Sequence, residues 1–388
     1  MPIITSLLDT DLYKLNMLRV YFHHFPNADA EFVFKCRNEN IVFTDKMVDQ
    51  IREEIDHLCT LRFTSEEVNY IGSIPYHKDA VGFLEFLRMY QLNPMYIDIK
   101  NFGGHLSIRA KGPLFQVSMW EIYVLAIVQE VYWLNHFPHP DWKLGLDQLR
   151  KDIGEIKLTP QVMVTEFGTR RRFSKEYHEE VLKVLMKEMP AQLFGTSNVY
   201  FAMKYKLRPI GTMAHEYICL GQGLNTVPVA DSQRYMLDVW SKEYDGNLGT
   251  VLSDTLGDDK FFKDFTLRFA KLYDGVRHDS GDPCIWGDNV IKHYQKLGVD
   301  PMSKYLMFSD SLTLAKAQKI WKYFEGRIKT SFGIGTTLTN NIPGVTPLNN
   351  VFKMVKAYGK PVAKLASDAG KAMCEDDEYL KYLRWAIK

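Results

Sequence analysis

The strongest constraint on the fold is a regular alternation of strand-like and helix-like segments from about Val162 onward. The β-prone segments are VMVTEFGT, RPIGTMAH, GTVLSDT, GVRHDS, YLMFSDS and KTSFGIGT. Between them lie segments such as FSKEYHEEVLKVLMKEM and SLTLAKAQKIWKYFEG, in which apolar residues recur at steps of three and four. Repeated strand–helix units imply a parallel sheet, either open or closed into a barrel.

Reactive side chains at the ends of these β-prone segments favour the closed form. Five of the segments are followed by, or end on, a histidine or a carboxylate: Glu166, His215, Asp254, Asp279 and Asp310. Catalytic groups drawn from the C-terminal ends of several strands are typical of a (β/α) barrel, which often binds phosphate on its late loops. The sequence therefore predicts an α/β fold built on an irregular (β/α) barrel.

The N-terminal third has a different pattern. AEFVFKC, MYIDIK and GHLSIRAKGPLFQVS resemble strands of a separate sheet, DKMVDQIREEIDHL resembles a helix, and WEIYVLAIVQEVYWL is a strongly apolar helix that we expect to be buried. Strand-like runs return near the C-terminus. We expect an N-terminal α+β, sandwich-like domain over residues 1–130, completed by part of 350–388, and a barrel domain over 131–350.

Composition narrows the function. A chain of 388 residues with a net charge of +1 has room for two domains and lacks the basic excess expected of a nucleic-acid-binding protein. No window approaches about 18 uncharged apolar residues, and the first residues do not resemble a secretion signal. Five widely spaced cysteines without a C-x-x-C pair indicate neither a disulfide framework nor a structural zinc site. We expect a cytoplasmic protein that binds neither membranes nor nucleic acid.

Two motifs carry groups suited to anions. In GVRHDSGDP, Arg277 can hold a carboxylate or phosphate in a bidentate fork, and Asp279 can accept from sugar hydroxyls or hold a metal through water. In TEFGTRRRF, three consecutive arginines precede a helix, where the helix dipole also favours anions. For GVRHDSGDP the alternative is an exposed, ion-paired turn. For TEFGTRRRF the alternative is a solvated basic start of a helix. Phe167 is either a core residue or a stacking face for a ring.

Two further motifs concern phosphate. SFGIGTTLTNN offers backbone N–H groups from Gly333, Gly335, Thr336 and Thr337, but it lacks the complete dinucleotide and Walker patterns. In GTMAHE, the β-prone run ends on His215. A lone histidine is more often structural than catalytic, but a neutral imidazole is a competent phosphoryl acceptor, which Glu216 or another carboxylate could orient.

Nine motifs in order resemble the nicotinate phosphoribosyltransferase family, whose barrel is of the type II phosphoribosyltransferase kind. They are DTDLYKL, GPLFQVSMWE, EFGTRR, GTSN, GTMAHE, VRHDSGDP, FSDSL, FGIGT and PVAKL. The resemblance implies an ATP-dependent ligase that makes nicotinate mononucleotide and pyrophosphate from nicotinic acid and phosphoribosyl pyrophosphate, the first step of NAD salvage from nicotinate. It also implies a homodimer with shared active sites.

The resemblance also assigns roles to individual residues. His215 would be phosphorylated by ATP, with Glu216 and Asp279 as further catalytic groups. Phe167 and Tyr13, the latter from the other subunit, would sandwich the pyridine ring. The other substrate-binding positions would be Arg277, Thr212, Ser197 and Asn198 for the carboxylate, Arg170 and Asp279 near base and ribose, and Asp310, Gly333, Gly335, Thr336 and Thr337 for phosphate. Mg²⁺ would bind through the pyrophosphate and not directly to the protein.

Ser197 separates the closest alternatives. Related nicotinamide enzymes carry an aspartate there, which would repel a carboxylate, so serine indicates nicotinic acid. A nicotinamide or quinolinate transferase is the nearest rival, and a phosphate-binding regulatory barrel without turnover is a rival of another class. A structural interaction module is disfavoured because the charged groups gather at strand ends.

Overall fold

The computed structural model describes residues 2–156, 161–365 and 374–388, which contain two β-sheets surrounded by helices. The strands are β1 (Asp29–Cys36), β2 (Ile97–Phe102), β3 (His105–Pro113), β4 (Val164–Glu166), β5 (Leu193–Thr196), β6 (Thr250–Leu252), β7 (Gly275–His278), β8 (Tyr305–Phe308), β9 (Lys329–Ile334), β10 (Asn350–Ala357) and β11 (Lys360–Pro361).

The helices of the described residues follow the same order along the chain. They are α1 (Leu12–His24), α2 (Asp45–Leu58), α3 (Ser65–Ser73), α4 (Val81–Met89), α5 (Leu114–Val117), α6 (Trp120–His136), α7 (Trp142–Ile156), α8 (Lys175–Glu188), α9 (Val199–Tyr205), α10 (His215–Gly223), α11 (Ser232–Glu243), α12 (Asp258–Asp264), α13 (Leu267–Leu272), α14 (Pro283–Lys296), α15 (Leu314–Phe324), α16 (Thr336–Thr339) and α17 (Asp377–Ala386).

The first sheet is antiparallel and draws strands from both ends of the chain. Its order is β11-β10-β1-β3-β2. β10 pairs along the whole of β1, with Phe34 opposite Phe352. The chain therefore returns to this sheet after it has completed the barrel.

The apolar helix α6 forms the buried centre of the molecule. Residues 120–133 are all buried, and α6 contacts both β10 and the turn Thr169–Arg171 that follows β4. The run Leu114–His136 is long and apolar enough to cross a membrane by length and composition. Because 94% of its most apolar window is buried inside the protein, it is accounted for as a core helix. Helix α6 also continues without a break through position 130, where the sequence analysis places the boundary between the two domains.

The second sheet contains the parallel strands of the predicted barrel, in the order β5-β4-β9-β8-β7-β6. Five of the six β-prone segments are strands, which confirms the α/β prediction. Between the edge strands β5 and β6 the wall is irregular. There, Pro209 forms a single parallel bridge with Thr196, and the carbonyl of Met213 accepts a hydrogen bond from Arg277 of β7.

The segment RPIGTMAH is not a strand, contrary to the prediction. Pro209 has no N–H to donate to a ladder. A Cβ on Gly211 would lie 2.7 Å from the backbone nitrogen of Tyr13, so this segment is pressed against the start of α1. His215 is the first residue of helix α10, and the adjacent strand β5 comes from the sequence LFGT, which was not among the predicted strands.

Candidate active site

A cavity of about 2010 Å³ extends from the C-terminal ends of the parallel strands. It brings together most of the residues that the sequence singled out, from before β1 to after β9. The predicted site residues that line it are Tyr13, Phe167, Arg170, Ser197, Thr212, His215, Arg277, Asp279, Asp310, Gly333, Gly335, Thr336 and Thr337. Asn198 and Glu216 do not line this cavity.

His215 is held by a carboxylate that follows β6. Its Nε2 lies 2.8 Å from Oδ1 of Asp254, while Lys364 Nζ (2.8 Å) and the hydroxyl of Ser280 (2.7 Å) donate to the other oxygen. Burial raises the pKa of Asp254, but the hydrogen bond from His215 and the charge of Lys364 more than offset this and hold it well below its usual range. An ionised carboxylate only accepts, so Nε2 carries the proton and Nδ1 keeps the lone pair.

The imidazole is disposed to stay neutral. Burial, together with the positive charge of Lys364, lowers the pKa of His215 despite the nearby carboxylates. His215 also begins a nine-residue helix, where the helix dipole and first-turn N–H groups favour a negative charge. The site therefore combines a neutral imidazole with an environment that accepts an anion.

Glu216 does not orient His215. Its carboxylate accepts hydrogen bonds from Lys14 (2.5 Å), Tyr21 (3.2 Å) and Ser118. Lys14 Nζ is also 2.7 Å from Glu121, so Glu216 ties α10 to α1 and α6. The predicted orienting role falls to Asp254, which the sequence reading had placed only at a strand end.

The cluster around His215 is poorly suited to bind a metal directly. Ligand atoms of His215, Asp254 and Asp279 lie within 4.8 Å of one another. However, the ammonium of Lys364 is 2.8 Å from Asp254 and 3.6 Å from Asp279, so a cation already neutralises these carboxylates. Binding of Mg²⁺ through phosphate groups stays a prediction.

Arg277 is fixed with its guanidinium in the cavity. Its Nε donates to Ser309 Oγ (3.0 Å), Nη1 to the carbonyl of Met213 (3.3 Å) and Nη2 to Asp279 (3.2 Å). A guanidinium has five N–H donors, so these contacts leave two for a ligand. The side chain is thus oriented in advance to bind a carboxylate.

Ser197 faces a second, unpredicted carboxylate. Its hydroxyl donates to Asp11 Oδ1 at 2.7 Å. Asp11 precedes α1 but makes no capping hydrogen bond, and burial raises its pKa to about 6. Asp11 shares the cavity wall with Ser197.

Gly333 of β9 and Gly335 just after it leave room for Phe167. A Cβ on Gly333 would lie 2.4 Å from the ring of Phe167, and a Cβ on Gly335 would lie 2.8 Å from its carbonyl oxygen. Gly333 thus lets Phe167 lie against β9, a role the sequence did not indicate. Gly335 precedes the short helix α16, where the first-turn amides of Thr336 and Thr337 have no intrahelical acceptor.

Three polar residues of these motifs do not line the cavity but make contacts that hold the fold: Asn198, Glu166 and Arg172. Asn198 caps α9 and donates to Asp9 at 2.8 Å. Arg172 is fully buried and forms a two-pronged ion pair with Asp9, at 2.7 and 2.9 Å. Glu166 accepts from Thr196 (2.6 Å) and lies 2.9 Å from His178. Only two of the three consecutive arginines therefore line the cavity.

The cavity contains a group of cations that the sequence reading largely missed. The lining cations near the first sheet are Arg37, Arg170, Arg171, Lys353 and Lys364. Burial and the charges of Arg170 and Arg37 lower the pKa of Arg171 to about 9, and burial lowers the pKa of Lys353. A bound polyanion would relieve this repulsion. Three of these cations belong to the first sheet: Arg37 follows β1, Lys353 lies on β10 and Lys364 follows β11. The sequence pattern alone did not connect these positions to the barrel.

Comparisons with known proteins agree with this architecture. The model of the nicotinate phosphoribosyltransferase (NAPRTase) family matches residues 162–388, and that of its N-terminal domain matches residues 8–129. The chain is 47% identical to the nicotinate phosphoribosyltransferase of Burkholderia mallei (strain ATCC 23344), over 98% of this chain and 96% of the relative. It is 46% identical to that of Ralstonia pickettii (strain 12J), over 98% of both.

Solved structures give the same result. The crystal structure of nicotinate phosphoribosyltransferase from Vibrio cholerae matches with a TM-score of 0.94 and 38% identity, covering 99% of this chain and 94% of that one. That from Porphyromonas gingivalis matches with a TM-score of 0.93 and 37% identity, covering 99% and 100%.

Proposed function

Because the chain belongs to the nicotinate phosphoribosyltransferase family, we propose that it joins nicotinic acid to phosphoribosyl pyrophosphate. The observation that carries this is a single cavity that combines a pre-oriented arginine fork, strand-end carboxylates and a group of five cations. Nicotinate mononucleotide and pyrophosphate would be the products.

The charge distribution suits the transfer. As the bond from ribose C1 to the pyrophosphate oxygen breaks and the bond to the pyridine nitrogen forms, positive charge develops on the sugar and negative charge on the leaving group. The carboxylates of Asp279 and Asp310 would lie near the ribose. Arg170, Arg171 and Lys353 would face the pyrophosphate, and Mg²⁺ bound to it would add further charge neutralisation.

We further propose that ATP drives the reaction through His215. Nδ1 would attack the γ-phosphorus of ATP, forming an N–P bond as the bond to the bridging oxygen breaks and ADP leaves. Asp254 would hold the proton on Nε2 and stabilise the positive ring that forms. The N-terminal end of α10 would favour the new phosphoryl group.

The remaining proposals follow from the family resemblance. They are a cytoplasmic homodimer with shared active sites, membership of the ATP-dependent ligase class, and a place at the first step of NAD salvage from nicotinate. Tyr13 already lines the cavity of its own chain, with its hydroxyl 3.4 Å from Glu121. In a homodimer, the Tyr13 of the other subunit would then add to a cavity wall that already includes this chain's own Tyr13.

The decisive experiment is a pyrophosphate-release assay with nicotinate, phosphoribosyl pyrophosphate and Mg²⁺, with and without ATP. We expect pyrophosphate and nicotinate mononucleotide in equal amounts. They should form faster, or to a greater final extent, when ATP is present. Binding of phosphoribosyl pyrophosphate without its turnover would instead favour a regulatory protein that retains the pocket.

Selectivity for nicotinate should depend on Ser197. An aspartate at this position would stand beside the Asp11 carboxylate, and two adjacent carboxylates disfavour a third anion. We expect Ser197→Asp to weaken nicotinate use at least tenfold and to admit nicotinamide, measured with both substrates. Ser197→Ala, which adds no charge, should keep the preference for nicotinate. Unchanged selectivity in the aspartate variant would remove Ser197 from the selection of substrate.

The pH dependence of histidine phosphorylation should depend on Lys364. Only neutral imidazole accepts the phosphoryl group, and its lowered pKa keeps it neutral into mildly acidic solution. Removing the Lys364 charge removes one cause of that lowering, so the pKa of His215 rises. In Lys364→Gln, phosphorylation measured from pH 5 to 8 should therefore be lost at a higher pH than in the unaltered protein. A profile that does not move would show that Lys364 does not control the ring.

A further inference from the structure

The cavity continues past the reaction site toward the end where the barrel strands begin. Residues two apart on a strand face the same side. Alternate residues on and just beyond two neighbouring strands line the cavity, namely Tyr305, Met307 and Ser309, and Ser331, Gly333 and Gly335. At about 3.3 Å per residue, each row is about 13 Å long. The lumen therefore follows these strands along their whole length.

Several of the side chains that face this lumen are small. In most (β/α) barrels, layers of bulky branched residues pack the interior. Here the inward positions of β4 and β9 include Thr165, Ser331 and Gly333. The cavity volume of about 2010 Å³ is roughly twice the upper value for a typical ligand pocket, about 1,000 Å³. Among the described residues, the barrel interior therefore contains a continuous cavity, called the passage below, and is not a fully packed core.

The passage reaches a rear mouth, defined by Gln161, Thr250, Asp274, Tyr305 and Lys329, at or just before the first residues of their strands. The ring of Tyr305 lies over Gly275, where a Cβ would come within 2.9 Å of it. The Tyr305 hydroxyl also pairs with that of Thr250. Both contacts hold this ring against the barrel wall.

We propose that the rear mouth admits nicotinate, a planar single-ring anion, while phosphoribosyl pyrophosphate covers the opposite end of the cavity. This proposal rests on the proposed function. The phosphate-binding groups lie at the C-terminal strand ends, so a bound sugar pyrophosphate would obstruct that side. Arg277 is two residues beyond the start of β7, within reach of a ring that comes from the rear.

Charges at the rear are compatible with this ligand. Lys329 is exposed at the rear mouth. Arg208 and Phe194 also line the cavity, and the guanidinium of Arg208 lies 4.5 Å from the ring centre of Phe194. These cations attract an anion, and the stacked pair offers an aromatic surface. Asp274 and Glu325 are acidic groups of the same lining, so the attraction is local and moderate.

The test blocks the rear mouth without altering the residues around Arg277. Lys329→Cys is purified and reacted with either a methyl-sized or a bulky thiol reagent, and labelling is located by peptide mass. Lys319→Cys, on the exposed outer face of α15, is treated identically as the matched control. Unaltered protein is labelled in parallel because it has five cysteines of its own.

We expect the bulky label at position 329 to raise the nicotinate KM more than tenfold at saturating phosphoribosyl pyrophosphate. The KM of phosphoribosyl pyrophosphate and kcat should stay within about twofold, as should every constant at position 319. The tenfold rise is measured against the methyl-labelled variant at position 329, which has lost the Lys329 charge as well. An unchanged nicotinate KM, or an equal rise in the KM of both substrates, would overturn the proposal that nicotinate enters through the rear mouth. Failure of the unaltered protein to make mononucleotide would instead overturn the proposed function.

Discussion

Replacement of His215 by alanine should abolish the ATP-dependent part of the reaction. After incubation with ATP, the peptide that contains His215 should gain the mass of one phosphoryl group, and the His215→Ala variant should gain none. The stimulation of mononucleotide synthesis by ATP should fall to a ratio of about one. The reason is that Nδ1 is the nitrogen that Asp254 leaves free, in a ring that burial keeps neutral.

Two controls make this result specific. His105→Ala alters an exposed histidine of β3 and should keep full labelling. Asp254→Asn keeps the imidazole but replaces the ionised acceptor, and we expect labelling to slow more than tenfold because the correct tautomer is no longer enforced. Phosphate found on another residue, or labelling that survives in His215→Ala, would contradict the assignment.

Replacement of Arg277 by alanine should raise the KM for nicotinate more than tenfold. Loss of a charged hydrogen bond to a bound anion costs on the order of 2 kcal/mol or more, and about 1.4 kcal/mol corresponds to a factor of ten. The structure strengthens this expectation because Ser309, Met213 and Asp279 already fix the guanidinium. Steady-state kinetics with nicotinate varied at saturating phosphoribosyl pyrophosphate give the measurement.

Arg277→Lys separates charge from geometry. Lysine keeps the positive charge but cannot form a two-pronged contact, so its KM should lie between those of the unaltered protein and the alanine variant. If the alanine variant binds nicotinate normally, then Arg277 does not contact the carboxylate.

Much of the fold and part of the site could be predicted from the sequence. The alternation of strands and helices after Val162 requires parallel strands, and the C-terminal ends of parallel strands meet at one edge. This is why Asp279, Asp310 and Gly335 were predicted to lie together, and they line one cavity. The ordered motifs were sufficient to indicate the family.

The partner of His215 shows what sequence reasoning left open. His215 and Glu216 are adjacent, and in an extended strand either would be a plausible site residue. In a helix of 3.6 residues per turn, neighbours point about 100° apart, so His215 meets Asp254 while Glu216 contacts Lys14. The error began with the assignment of a strand where Pro209 and Gly211 prevent a continuous ladder.

The sequence by itself determined the alternating barrel units, the family and the residues that end most of the strands, because these depend on local periodicity and motif order. Only the tertiary structure decided which charges meet. Lys353 and Lys364 reach the cavity because β10 pairs with β1 across more than 300 positions of the chain. Local pattern does not encode such a pairing, since it is fixed by the packing of both sheets around α6. The open lumen likewise depends on how small inward side chains from separate strands combine.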